Sequence, residues 1–352
     1  MNQTETPPYN EDVSILKHLL LQHFGIDDAM IRQLPGELDL NFYVATTSGK
    51  AYILKISYQG EDADYLKMQI HALMHLNEHT DQLQFPRVIS TLSGKNLIEI
   101  DYKGEMRLMR LLSWVEGKLW AKYKPHTPEL LQSLGKACGV LSKAFRGFEH
   151  AAAHRWIKWD PAQTSWVKRH LVHITDPKQQ QLAQYFLALF EQKALPFFPQ
   201  LRQSINHNDA NDYNILLKAK ADGTAEVISV IDFGDMVYTY TINELAIAAA
   251  YALMFKSDPL ATAVEMVKGY HAVYPLEEIE LAVLFPLIAS RLLISVTASA
   301  LNRFEHPENT YLMISEQAAW DVLEKLHKLS DVLVHASFRQ ACGLEASTHT
   351  FQ

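Results

Sequence analysis

His207-Asn208-Asp209-Ala210-Asn211-Asp212-Tyr213-Asn214 and Ile231-Asp232-Phe233-Gly234-Asp235 are the two segments on which the reading of this chain turns. Both are short, polar and rich in carboxylates and amides. Between them lie two apolar stretches, 215–218 and 226–231, separated by Ala221-Asp222-Gly223. An Asp-Gly turn between two such stretches predicts a β-hairpin. One polar segment leads into that hairpin and the other follows from it.

Working outward, the rest of the chain divides into a strand-rich front and a helix-rich remainder. Residues 14–24 have helical periodicity, with Ser14 in the position of a cap. From 31 to 57 the pattern is that of strands, with 42–45 and 51–56 joined by the turn 46–50, which places Lys55 near the end of the second strand. A helix is predicted over 65–77, and strands over 87–90, 96–100 and 106–114. Helices are predicted over 130–145, 179–192, 242–255, 261–270, 278–301 and 315–333. The expectation is an α+β protein of two lobes. A small antiparallel-sheet N-lobe would span 1–112 with its first ten residues disordered, a connection 113–117, and a larger mainly helical C-lobe 118–352.

Composition narrows the classes of function. Of 352 residues, 48% are hydrophobic and 20% charged, enough for a sizeable core. The net charge of −8 argues against nucleic acid or an anionic membrane as a partner, because both need a basic surface. Two cysteines, Cys138 and Cys342, give no disulfide framework and no paired metal motif, which fits a reducing cytoplasm. The polar, acidic first residues do not read as a secretory signal. The run 245–255 is taken as the longest apolar stretch; at about half the ~20 residues of a membrane span it is expected to be a core helix.

The two polar segments hold what phosphoryl transfer to an alcohol requires. A carboxylate must accept the hydroxyl proton, hard oxygen ligands must hold magnesium, and a cation must steady the phosphates that stay behind. Asp209 can supply the base. Asn214, five residues on, and Asp232 at the end of the returning strand can supply metal ligands. Lys55, on a strand of the other lobe, can supply the cation. An isolated His-x-Asp or Asp-Phe-Gly is weak, but the whole order, with the intervening hairpin and the upstream strand lysine, matches the protein-kinase set.

HNDANDYNILL (207–217) followed by VISVIDFGDM (227–236) resembles the aminoglycoside phosphotransferase and choline-kinase-like family, and more closely its hydroxylysine kinase-type branch. The stretches 36–42, 52–56, 243–248, 269–271 and 274–276 support that branch, so the resemblance runs roughly from Leu34 to Leu326. It implies a protein-kinase-like fold, ATP, magnesium and a small hydroxylated amine or amino acid as acceptor. Carried over by position, it makes Asp209 the base, Asn214 and Asp232 the metal ligands, Lys55 the phosphate lysine, and His207 a brace for its loop. The helix after the lysine strand would normally carry a glutamate to pair with that lysine. Here the matching position is Gln69, with Glu61 and Asp64 as possible substitutes. The phosphate-covering loop is also unusual, having the single glycine Gly36. Backbone at Ser113 and Val115 is expected to meet the adenine.

Acceptor contacts are expected from Asp235, Arg291 and Trp159. Each also has a plainer reading: a solvated turn carboxylate, a structural ion pair, and helix packing shared with Trp156 and Trp166. Glu244, with Thr241 as cap, reads as a first-turn charge on its helix, and His71, His75 and His79 as a solvated histidine face. Competing readings are a nucleotide-binding module without catalysis, an aminoglycoside- or choline-type phosphotransferase, and a protein kinase. The last is disfavoured because no Ala-Pro-Glu-like segment follows Asp-Phe-Gly.

Overall fold

A computed structural model describes residues 13–36, 38–306 and 316–345. The disorder expected of the first ten residues falls outside them. The chain divides into two units: one runs to Glu78 and continues over Phe85–Glu116, and the other comprises His79–Gln84 and the chain from Gly117. The sequence reading had kept 79–84 with the sheet. They join the second unit, where the Gln84 N–H donates to the Ile228 carbonyl at 2.7 Å.

The first unit is an antiparallel sheet with one helix on each face. Its strands are β1 (Met30–Leu34), β2 (Leu40–Ala45), β3 (Ala51–Ile56), β4 (Val88–Ile89), β5 (Ile98–Tyr102) and β6 (Glu105–Ser113). They lie in the order β1-β2-β3-β6-β4, and β5 also pairs with β6. Alternation sorts their side chains. Phe42, Val44, Leu54, Ile56, Met109 and Leu111 point to one face, where α1 (Val13–Phe24) buries Leu16, Leu19 and Leu20 against them. Ser14 lies inside that helix, so it does not cap it. The opposite face carries a polar row set by the register: Asn41 opposite Lys55, and Lys55 opposite Arg110. The second helix, α2 (Ala63–His79), buries Gln69 on that face.

The second unit contains the predicted hairpin, β9 (Ile215–Ala219) with β10 (Ala225–Val230), turned at Gly223 with φ +83°. The short β7 (Lys118–Leu119) pairs with β9. A second pairing, β8 (Gln203–Asn206) with β11 (Val237–Tyr240), was not anticipated, and it decides the layout. The strand β8 runs into the 207–214 loop and β11 leaves the 231–236 loop. Val237 stands opposite Asn206 and Val230 opposite Ile215, so both loops emerge at the same end of the two pairings.

Around these strands pack α3 (Pro128–Ala144), α4 (Pro177–Lys193), α5 (Asn243–Ala252), α6 (Pro259–His271), α7 (Glu278–Glu305), α8 (Glu316–Leu326) and α9 (Asp331–Ala341). The helix read over 315–333 is in fact α8 and the start of α9, interrupted where Ser330 is extended with ψ 133°. Cys138 is buried in α3 as a free thiol. By length and composition α7 could cross a membrane, which the focus on 245–255 overlooked, but 89% of its most apolar window is buried within the protein. The tryptophans Trp159 and Trp166 sit in and beside the 3-10 turn 161–169, not on an α-helix, and Trp156 is exposed.

Candidate active site

The 207–214 loop is held from inside by a neutral histidine. His207 is fully buried, and burial pulls its imidazole down to about 4. Its Nδ1 accepts from the Asp209 N–H at 3.2 Å, so Nε2 carries the hydrogen and donates to the Ile231 carbonyl at 3.0 Å. One side chain thus ties the two loops together. Phe233 packs edge-on against the same ring, with centroids 4.7 Å apart.

Glu244 supports the loop from below. It does lie in the first turn of α5, but it is buried, at 1% exposed. Its Oε2 accepts from the N–H groups of His207 at 2.8 Å and Asn208 at 3.4 Å. Asn208 adopts φ +66°, a conformation that asparagine tolerates better than most residues. Thr241 is not the helix cap; its hydroxyl instead shares a hydrogen bond with Ser204.

Asp209 is fixed by two amides. Asn214 Nδ2 donates to its Oδ2 at 2.7 Å and to its carbonyl at 2.9 Å, and Asn211 Nδ2 donates to Oδ2 at 2.9 Å. Burial, followed by the nearby charge of Asp235, pushes the Asp209 carboxyl up to about 8; Arg291 pulls the other way, and Asp232 adds to the rise. Those influences show that Asp209, Asp232, Asp235 and Arg291 share one neighbourhood. Asp232, exposed and at φ +65°, stands at the start of the 3-10 turn Phe233–Asp235. Arg155 clamps that turn from behind, Nη2 donating to the Gly234 carbonyl at 3.1 Å and Nε to the Met236 carbonyl at 3.3 Å.

The donor set suits a hard divalent cation. With Nδ2 spent on Asp209, Asn214 has its amide oxygen to offer, and Asp232 has its carboxylate. A Cβ at Gly234 would stand 3.4 Å from Asp232 Oδ1, about ordinary contact distance. Among the described residues no group of three or more His, Cys, Asp or Glu forms a metal site, the α2 histidines included. Magnesium does not need one, because it retains waters and takes the rest of its shell from phosphates.

Arg291 and Trp159 meet. The guanidinium lies over the Trp159 ring at 5.2 Å and the Tyr251 ring at 5.0 Å, and it donates to Tyr251 Oη and to Ser295 Oγ at 2.7 Å. Tyr251 was not singled out from the sequence.

In the sheet unit, Lys55 is buried at 8% exposed in the polar row. Gln69 is spent on another cation: its Oε1 accepts from Arg110 Nη2 at 3.1 Å, and the same nitrogen pairs with Asp39 at 3.3 Å. Glu61 lies close enough to Asp39 and Arg110 to feel both, although burial is the main reason its carboxyl is raised, while Asp64 pairs with Lys67 at the surface. Arg110 is therefore a member of the row that the sequence did not reveal. Gly36 is exposed, and a Cβ there would meet the Asp39 carbonyl at 2.4 Å and Asn41 Nδ2 at 2.5 Å, so the tight loop requires glycine. The Ser113 N–H donates to the Arg87 carbonyl, and Ser113 Oγ accepts from the Arg87 N–H.

Residues 31–277 match a family model described as "Phosphotransferase enzyme family". The chain is 29% identical to the hydroxylysine kinase of Bos taurus over 86% of each chain. It is 28% identical to that of Danio rerio over 94% of this chain and 95% of the relative. Among solved structures it resembles an amicoumacin kinase in complex with AMP-PNP and Ca2+, with TM-score 0.65, 18% identity, and 92% and 98% of the two chains covered. It also resembles a microcompartment-associated aminopropanol kinase, with TM-score 0.66, 17% identity, and 96% and 100% covered. These likenesses establish the kinase-like α+β fold.

Proposed function

Because this chain belongs to the phosphotransferase enzyme family and is a small-molecule kinase with a hydroxyl acceptor, we propose that it transfers the γ-phosphate of ATP, with magnesium, to the hydroxyl of a small amino acid or amino alcohol, hydroxylysine-like in the first instance. The observation that carries this reading is the convergence of the two loops of the second unit, which puts Asp209, Asn214 and Asp232 at one end of paired strands.

In this reading Asp209 accepts the acceptor's hydroxyl proton at Oδ1, while Asn211 and Asn214 hold Oδ2 and fix the direction of the free oxygen. Asn214 and Asp232 would hold the metal, which neutralises charge on the transferring phosphoryl group. Lys55 would neutralise the non-transferred phosphates. The use of nucleotide and a divalent cation is supported by solved relatives in complex with AMP-PNP and Ca2+, or with ADP.

Removing the base should abolish transfer and spare donor binding. In Asp209→Asn the loop retains its shape, and kcat should fall about a thousandfold or more. Stabilisation by Mg·ATP in a thermal-shift assay should persist. Turnover near the wild-type rate would refute the assignment. One observation favours a second reading, a nucleotide-binding module without catalysis: Gln69 stands where a glutamate usually partners the lysine. That reading predicts a Mg·ATP thermal shift with no ADP release for any hydroxylated amine offered.

A further inference from the structure

Asp160 is buried where other caps of its kind are exposed. Asp176 on α4 and Asp258 on α6 cap their helices from the protein surface. Asp160 makes the same sort of bond at the start of the 3-10 turn 161–169, its Oδ1 accepting from the Ala162 N–H at 3.0 Å. It does so at 2% exposed, and among the described residues no cation is ion-paired with it. Burial pushes its carboxyl up to about 6. A cap needs no such burial, and an uncompensated carboxylate in the interior is destabilising.

What sets Asp160 apart is a second partner. The same Oδ1 accepts from Asn243 Nδ2 at 2.8 Å, and that amide also donates to Thr239 Oγ1 at 3.2 Å. Asn243 is fully buried and is the first residue of α5. The next residue, Glu244, takes the N–H groups of His207 and Asn208 and so carries the loop of Asp209. The residue before Asp160 reaches the same helix by another route: Arg291 lies over the Trp159 ring and donates to Tyr251 of α5. Residues 159 and 160 are therefore fastened to α5 near both of its ends.

We propose that Asp160 is a positioning residue for phosphoryl transfer: through Asn243 it fixes the start of α5, and so sets where the loop held by Glu244 presents Asp209. This rests on the kinase reading above and adds a residue to it. Every member of the chain from Asp160 to Asp209 lies in the second unit. A lost partner in a buried chain of hydrogen bonds is not replaced by water, so the chain holds its members firmly. Misplacing a reacting group by about 1 Å can slow a reaction a hundredfold.

The test uses the full chain with Mg·ATP and hydroxylysine, or whichever hydroxylated amine it turns over faster. ADP release gives kcat and KM, and a thermal-shift assay reports binding of Mg·ATP. Asp160→Ala and Asn243→Ala should each lower kcat by about 10- to 100-fold. The KM for Mg·ATP and its thermal shift should stay close to wild type. Because both substitutions break one bond, the double variant should be no slower than the slower single. Asp160→Asn keeps an oxygen for the Ala162 N–H and the Asn243 amide, and should recover most of the lost kcat. A role in stability alone would lower the melting temperature and leave kcat, measured well below that temperature, unchanged.

An unchanged kcat in Asp160→Ala, additive losses in the double variant, or an Asp160→Asn as slow as Asp160→Ala overturns the inference and leaves the kinase reading standing. If Asp160→Ala does not fold, Asn243→Ala and Asp160→Asn decide. A slow first variant with a second near wild type supports the inference, and any other pairing overturns it. If Mg·ATP binds and the wild type releases no ADP with any hydroxylated amine offered, the kinase reading fails, and this inference with it.

Discussion

At a single side chain, Glu244, burial and hydrogen bonding pull in opposite directions. Two loop N–H groups favour its carboxylate, but burial dominates and lifts it from 4.5 to about 7. The folded protein therefore holds this proton more tightly than the unfolded chain does. The associated stability is complete below pH 4.5 and disappears as the pH rises through about 7, a span worth roughly 3 kcal/mol. His207 has the opposite sign, gaining stability as pH rises, so the two must be separated by mutation. Glu244→Gln still offers an oxygen to the loop and should remove the Glu244 contribution. The difference in melting temperature between variant and wild type should move in the variant's favour from pH 4.5 to pH 7.5. A difference that does not vary with pH would show that Glu244 does not titrate in that range. This residue also marks a limit of sequence reading. Asp209, Asn214 and Asp232 were legible because spacing along one hairpin brings them together. Glu244, Arg110, Arg155 and Tyr251 depend on partners from distant elements, and no local pattern announces such partners.

Between elements, α3 and α6 approach each other closely. A Cβ on Gly135 would stand 2.0 Å from the Met266 carbonyl, and one on Gly269 would stand 1.9 Å from the Gln132 carbonyl. Each glycine lets the other helix's backbone lie where a side chain would be, and neither obstacle can rotate away. Gly135→Ala and Gly269→Ala should each destabilise by about 3 kcal/mol or more. Loss of several degrees in melting temperature, together with lower soluble yield, would be the readout; wild-type melting in both would contradict the crossing. Long periodic helices such as α3 and α4 were evident from sequence to within a few residues. Short strands were not. The strand β8, Gln203–Asn206, contains one strongly apolar residue, and only its pairing with a strand more than thirty residues away makes it a strand. The break between α8 and α9 was hidden because apolar residues continue across it, from Leu326 through Leu329 to Val334.

For the molecule as a whole, the α+β class and the division into a sheet unit and a larger helical unit could be read from periodicity, whereas the transfer of 79–84 to the second unit could not. Overall stability is also where the left-handed backbone of Asp232 has its effect. A non-glycine residue at φ +65° carries strain of about 1 kcal/mol, and its carboxylate repels Asp209. Glycine at this position would relieve both. Without metal, Asp232→Gly is expected to melt at or above the wild-type temperature while having no measurable turnover; a clear drop in melting temperature would show that the side chain holds the loop together. Such a result would separate what this side chain does for folding from the metal-holding role proposed for it above.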